Sequence, residues 1–481
     1  MNIAFIIYII GWILSIEAVS LLLPALVGFI YNEQTGIYYL VTGIICLVVG
    51  IILTRKKPKN QKLFAREGFA LVALCWIVMS LVGALPLFFS GEIPSFTNAL
   101  FEIVSGFTTT GASILDDVEA MSHTGLFWRS FSHWIGGMGV FVFLLCIMPM
   151  TGGSNIHLMK AESPGPSVGK LVPKLRDTAK ILYIIYFVLT VVLFIALLIA
   201  RMPLFDAIVT SIGTAGTGGF GIKGDSIGGY NDAVQWIVAV GMMMFGINFN
   251  FYFFLIGKNK KEAFKIEEVR WYVFAVLAAT VVIAFNISGM CGSLYEAFKY
   301  AFFQVNTLIT STGFATTNFD LWPSFSKIVL VSLMFMGACA GSTGGGIKVS
   351  RYVIMFKAIK QEIDSFIHPR SVKSIEMDGK VVDKAMVRSV FMFLAAYAII
   401  FTVSAILLSL ESDKSIVTSF TAVVACLSNM GPGLDQVGPA ANFNGMSIFS
   451  KYVLIFDMLA GRLELYPMIV LFSPSLWRRN K

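Results

Sequence analysis

Apolar residues run through this chain in long blocks, and the polar positions gather between them. The blocks at 3–29, 36–54, 67–90, 181–200, 271–290 and 386–410 each supply the roughly 20 apolar residues that a helix needs to cross a hydrocarbon core about 30 Å thick. Four further blocks, 95–107, 203–214, 294–310 and 415–428, are too short to cross. Each runs into a polar, glycine-containing turn: Thr108-Thr109-Thr110-Gly111-Ala112, Thr217-Gly218-Gly219-Phe220, Ser311-Thr312-Gly313-Phe314 and Asn429-Met430-Gly431-Pro432. A longer apolar segment follows each turn, at 126–150, 233–257, 326–357 and 448–472. The pattern predicts helix throughout and one unit repeated four times: span, half-helix, turn, span. The openings of the short blocks repeat as well, in Phe96-Thr97-Asn98-Ala99, Leu204-Phe205-Asp206-Ala207 and Leu294-Tyr295-Glu296-Ala297. The fourth, Val417-Thr418-Ser419-Phe420, diverges.

Composition agrees with a bilayer as solvent. Hydrophobic residues make up 57% and charged residues 13%, against about 45–50% and 25% in soluble domains. The net charge of +8 does not point to nucleic acid, because 28 of the 36 Lys and Arg fall in five clusters between or after apolar blocks: 55–66, 151–180, 258–270, 348–388 and 474–481. The positive-inside rule places all five on the cytoplasmic face. Both ends of every unit then lie inside, so the repeats are parallel and all four turns face outward. Block 3–29 is too long for a signal-peptide core and reads as a retained span. The six cysteines and four histidines show no ligand spacing, and no cluster of catalytic groups appears, so an enzyme is not expected. Gly216 to Gly221 satisfies G-x-G-x-x-G but follows an apolar half-helix rather than a strand. In Gly341 to Lys348 the lysine falls one place late for a phosphate-binding loop.

Backbone that leaves the helix at membrane depth survives only where protein buries it or where it lines a water-filled path. Glycine permits the positive φ that turns successive carbonyls to one side, and a ring of carbonyls can replace the hydration shell of a cation. An aspartate follows each turn, at Asp116, Asp225, Asp320 and Asp435. A carboxylate ring at the outer mouth would concentrate cations, although outer loops also carry Asp for solvation alone. A second interruption, Gly341-Ser342-Thr343-Gly344-Gly345-Gly346, should unwind the block 326–357, since each glycine costs a helix about 1 kcal/mol. The last block carries Asp457, Arg462 and Glu464. Asp457 and Glu464 are seven apart and share a helical face, whereas Arg462 points away from both.

The four turns resemble the selectivity filters of the Trk/Ktr/HKT superfamily of potassium transporters, and the chain is similar to its TrkH branch over about residues 66–475. The additional first pair of spans also fits that branch. The resemblance implies an all-α integral membrane protein with four pseudo-symmetric helix–pore-loop–helix units around one central pore. These are units 66–150, 178–258, 268–357 (its second helix broken) and 384–475, beside an N-terminal helix pair in 1–60. It implies potassium ligands at Thr109, Thr110 and Gly111, Thr217 and Gly218, Thr312 and Gly313, and Asn429, Met430 and Gly431. Glycine rather than serine at position 111 favours potassium over sodium. The run containing Gly341, Gly344, Gly345 and Gly346 corresponds to the family's intramembrane gating loop, with Lys348 just beyond it. Gly461-Arg462-Leu463-Glu464 resembles the motif whose arginine sits beneath the filter as a barrier. K⁺ is then cargo, and no cofactor is bound by this chain. The resemblance further implies a homodimer in the bacterial inner membrane and a cytosolic, nucleotide-binding TrkA-type regulatory subunit. An alternating-access cation symporter, which also uses broken helices near the membrane centre, is the rival reading.

Overall fold

The computed structural model describes residues 2–60, 65–147, 175–257, 260–369 and 373–477. Most of the expected loop 151–180, with its prolines at 164, 166 and 173, lies outside the described residues, as does 478–481. The helix Leu175–Ile199 begins before that loop's expected end.

Six of the described helices are long and apolar enough to cross a membrane: Ile3–Ile30, Thr35–Thr54, Glu67–Phe89, Lys180–Ile199, Glu267–Met290 and Lys384–Leu408. They coincide with the six long apolar blocks. Four shorter helices, Phe96–Phe107, Leu204–Gly216, Leu294–Ile309 and Ile416–Leu427, hold 12, 13, 16 and 12 residues. At about 1.5 Å per residue they reach at most about 24 Å, short of the hydrocarbon core. These are the half-helices.

The chain is arranged for lipid outside and polarity within. Outer faces expose Ile184, Phe187, Phe274, Phe285, Ile399 and Ile406, while Thr108, Thr109, Thr110, Thr310, Ser311, Thr312, Ser428 and Asn429 are completely buried. The N-terminal pair packs backbone on backbone, as small residues allow between membrane helices: a methyl group on Gly28 would lie 2.6 Å from Gly36 Cα. Its connecting turn reaches unit one through Glu33. That carboxylate accepts from His123 N (2.9 Å), Thr124 N (3.0 Å) and Thr124 Oγ1 (2.7 Å), at the N-terminus of the helix His123–Ile147.

The second helices depart from expectation in two units. Unit three breaks as the glycine run requires, between Ser324–Phe335 and Val349–Ile367. Unit two breaks too, into Asp232–Phe245 and Phe249–Ile256, bent by 93°. Unit four stops at Arg462, and a short helix Tyr466–Leu471 follows after Glu464 and Leu465, both at positive φ. The continuous spans 233–257 and 448–472 read from the sequence are therefore corrected. The reason in unit two is mutual satisfaction of backbone groups. Cys339 N donates to Gly246 O (3.0 Å), Phe249 N to Gly341 O (3.0 Å) and Thr343 N to Phe245 O (3.4 Å), so the breaks of units two and three pair with each other.

A small hairpin, Glu376–Met377 with Lys380–Val381, is an addition to the all-helical expectation. Its turn, Asp378-Gly379, has positive φ at both residues, the arrangement that a two-residue hairpin favours.

Candidate ion pathway

The four half-helices end in the same way. The N–H groups of Thr109, Thr217, Ser311 and Asn429 donate three residues back, to Gly106, Thr214, Leu308 and Cys426. Those of Thr110, Gly218, Thr312 and Met430 donate five back, to Ser105, Gly213, Thr307 and Ala425, at 2.9, 3.1, 2.8 and 2.7 Å. This is the Schellman closure, which needs a left-handed residue just past the helix and usually takes glycine there. Here that residue is Thr109, Thr217, Ser311 or Asn429, with φ of 54°, 52°, 56° and 55°. A non-glycine residue there costs about 1–2 kcal/mol, so four hydrogen-bonding side chains are kept at four strained positions.

Two residues further on, φ turns positive again, at Gly111 (80°), Gly219 (72°), Gly313 (91°) and Gly431 (92°). The equivalent of Gly111 in the second turn is thus Gly219 and not Gly218, and the sequence alignment of that turn shifts by one. Phenylalanine held the missing signal, since it follows both Gly219 and Gly313. Gly218 is needed for a different reason: a methyl group there would lie 2.1 Å from the buried His133 ring.

Contacts between the turns run in a cycle. A methyl group on Gly111 would lie 2.1 Å from Gly218 O, on Gly219 1.9 Å from Thr312 O, on Gly313 2.9 Å from Met430 O, and on Gly431 2.9 Å from Thr110 O. The four carbonyls occupy one register position, and each abuts the glycine of another turn, in the order one, two, three, four and back to one. The segments above the turns follow the same order. Gly224 N donates to Glu119 Oε1 (3.0 Å), Ile227 N to Ala315 O (3.0 Å), Asp435 N to Asp320 Oδ2 (3.2 Å) and Phe443 N to Ser113 O (2.8 Å).

Side chains behind the turns lock them. Thr108 and Thr110 share a hydroxyl hydrogen bond of 2.8 Å, as do Thr310 and Thr312 at 2.7 Å. Asn429 Nδ2 donates to Thr110 Oγ1 and Met458 O, both at 2.9 Å. The Glu102–Arg129 ion pair, 2.7 Å and fully buried, braces the first half-helix against the helix behind it. The Arg129 guanidinium also lies 4.1 Å from the centre of the Phe220 ring of the second turn.

Three of the four aspartates bond within the loops. Asp116 is exposed and accepts from Asn442 Nδ2 (2.9 Å) and Asn444 Nδ2 (2.8 Å). Asp225 is exposed. Asp320 receives the Asp435 backbone N–H and a Lys327 ammonium at 3.8 Å. Asp435 accepts from Ser415 Oγ (2.5 Å) and Thr418 Oγ1 (2.7 Å), and these hydrogen bonds hold its carboxyl below the usual range.

The unwound segment of unit three lies against the other side of the turns. Gly345 N donates to Ser311 Oγ (2.5 Å). Methyl groups on Gly344 and Gly345 would lie 2.9 Å from Thr310 O and 2.8 Å from Ser428 O. Lys348 is buried, and its ammonium bonds Gly344 O and, at 3.3 Å, Gly345 O. Arg462 joins three elements: Nη1 donates to Thr109 Oγ1 (3.1 Å) and Thr343 O (3.0 Å), and Nη2 to Gly136 O (2.5 Å). Its acidic neighbours have other partners. Asp457 Oδ1 accepts from Ser404 Oγ (2.8 Å), and Glu464 pairs with Arg351. Because the helix ends at Arg462, the shared face expected for Asp457 and Glu464 does not exist. Gly341 and Gly346 carry the positive φ of the segment, 70° and 69°.

Residues 38–479 match the family model TrkH, described as a cation transport protein. The chain is 37% identical to the Trk system potassium uptake protein TrkH of Salmonella typhimurium, over 98% of each chain. It is 30% identical to the protein of the same name from Halomonas elongata, over the whole of both. The crystal structure of the potassium transporter TrkH from Vibrio parahaemolyticus superposes with a TM-score of 0.89 at 33% identity, covering 99% of this chain and 100% of that one.

Proposed function

The chain belongs to the TrkH family of cation transport proteins, multi-pass in the membrane, and from that premise we propose that it takes up potassium through one central pore. Units 66–150, 178–258, 268–357 and 384–475 surround that pore, and the pair within 1–60 stands at its flank. The observation that carries this reading is the cycle of glycine-to-carbonyl contacts around the four turns. Carbonyls at one register position from four chain segments are the arrangement that replaces the water around a monovalent cation. An alternating site between two halves needs no such closure.

The filter is formed by Thr109, Thr110 and Gly111, by Thr217, Gly218 and Gly219, by Thr312 and Gly313, and by Asn429, Met430 and Gly431. Beneath it the segment around Gly341, Gly344, Gly345 and Gly346 obstructs the path, with the Lys348 ammonium tied into it. Arg462 places a fixed positive charge at the base of the first turn. Asp116, Asp225, Asp320 and Asp435 give the outer mouth its negative charge. Potassium moves inward down the membrane potential, worth about 2.3 kcal/mol per charge per 100 mV. Opening requires the segment to move, and a cytosolic TrkA-type partner acting on a dimer of this chain supplies the signal. The setting is a bacterial inner membrane.

Flux of K⁺ and Na⁺ into liposomes holding only this chain, with and without the partner, tests the reading. Unitary currents in single-protein recordings are expected once the gate opens. Discrete turnover without such currents would favour the symporter.

A further inference from the structure

Glu268 is the second residue of the first span of unit three, and it is buried. One oxygen, Oε1, accepts from Ala340 N at 2.7 Å and from Ser350 N at 3.0 Å. Those two residues flank the glycine run 341–346: Ala340 immediately precedes it and Ser350 follows it. Ser350 lies in the first turn of the helix Val349–Ile367, where backbone N–H groups have no intrahelical acceptor and the helix dipole favours an anion. Backbone ties of the segment join neutral groups, Gly337 N to Ile347 O (2.8 Å) and Cys339 N to Gly246 O (3.0 Å), and the Lys348 ammonium bonds the segment's own Gly344 and Gly345 carbonyls. A carboxylate acceptor makes hydrogen bonds roughly twice as strong as neutral ones, and this one serves both ends together. The preceding residue continues the connection toward the cytoplasm. Glu267 N donates to Asp378 Oδ1 of the hairpin (2.7 Å), and Glu267 Oε2 accepts from Lys357 Nζ (2.6 Å).

We propose that Glu268 is the positioning residue that clamps both ends of the 340–350 segment and holds it against the third and fourth turns. The clamp itself is a statement about where the segment sits. Its consequence for transport rests on the gating role proposed above.

The test separates the two. Ser342 is buried within the segment, so Ser342→Cys reports its release through reaction with a small methanethiosulfonate reagent, scored against the chain without that cysteine. In reconstituted full-length protein, Glu268→Ala is expected to speed this reaction about tenfold, the scale of losing a charged acceptor. Glu268→Gln keeps an acceptor without the charge and covers the case in which the alanine variant fails to fold; it is expected to give a smaller rise. Glu268→Asp should stay closer to the parent than to alanine, which a purely packing role would not produce. Unchanged reactivity in both the alanine and glutamine variants overturns the clamp. K⁺ flux is measured alongside, with deletion of Gly344 to Gly346 as the direct test of the gate. Raised flux on deletion with neither flux nor reactivity altered in Glu268→Ala sinks the clamp and leaves the gate. Raised reactivity in Glu268→Ala, with flux unchanged there and in the deletion, keeps the clamp and removes the gate.

Discussion

Single atoms separate the four turn glycines. Gly111 and Gly219 have a neighbouring carbonyl within 2.1 Å of where a side chain would begin, whereas Gly313 and Gly431 have 2.9 Å. Gly111→Ser must therefore push the second turn aside in a backbone already at φ 80°. The ratio of K⁺ to Na⁺ flux is expected to fall at least about tenfold, the scale of one lost ligand worth about 1.4 kcal/mol. Gly431→Ser should cost less. An unchanged ratio in both variants would take these glycines out of the filter. Glu17 poses the opposite case. It is buried within the first span, and neither carboxylate oxygen has a hydrogen-bond partner among the described residues. A buried polar group without compensation costs about 1–3 kcal/mol by mutational measures. Glu17→Met should raise the midpoint of thermal unfolding in detergent with flux retained. A lower midpoint, or lost flux, would assign the carboxylate a task that packing does not explain.

At the scale of elements, the N-terminal pair is fastened to the helix His123–Ile147 at an identifiable place. Burial pushes the Glu33 carboxyl up, but hydrogen bonds from Thr124 and His123 outweigh it and hold it below the usual range. A carboxyl lowered on folding contributes stability that is present above its unfolded value, about 4.3, and lost as pH falls through the folded one. Melting midpoints should therefore drop as pH falls below about 4.3, and Glu33→Gln should flatten that drop while lowering the midpoint at pH 7. A parallel pH profile in the variant would show that Glu33 does not fasten the pair. This attachment was invisible in the sequence, because nothing local links residue 33 to residue 123. The long spans and half-helices were legible, since apolar block length alone determines them. The unit-three break was legible from three consecutive glycines. The break at Gly246 was not: one glycine in an apolar run looks continuous, and its backbone groups are satisfied by a segment about 90 residues away that period and composition cannot see. The one-residue shift to Gly219 arose from matching glycines where the aligned phenylalanines, Phe220 and Phe314, mark the true register.

For the whole molecule, the cyclic contact order brings four chain segments around one centre, and Arg462 is where units one, three and four converge beside it. Its guanidinium is held by Thr109 and Gly136 of unit one, the latter on that unit's second helix, and by Thr343 of the unwound segment. On the pathway proposed above, a cation leaving the turns passes this charge. For an ion about 6 Å away, an effective dielectric near 20 gives a repulsion of about 3 kcal/mol. That is large beside thermal energy yet small enough for a driven ion to cross. Removing the charge should therefore raise flux, and Arg462→Gln keeps hydrogen-bonding groups for the same neighbours while doing so. K⁺ flux in liposomes is expected to rise at least about tenfold, below the hundredfold ceiling that 3 kcal/mol allows. The K⁺ to Na⁺ ratio should change little, since the carbonyls proposed to select lie above. Two other results would each carry meaning. Flux that falls would make Arg462 a brace for the turns and the unwound segment rather than a barrier. Flux that rises together with lost selectivity would mean that its bond to Thr109 Oγ1 holds the first turn in shape, joining barrier and filter in one side chain.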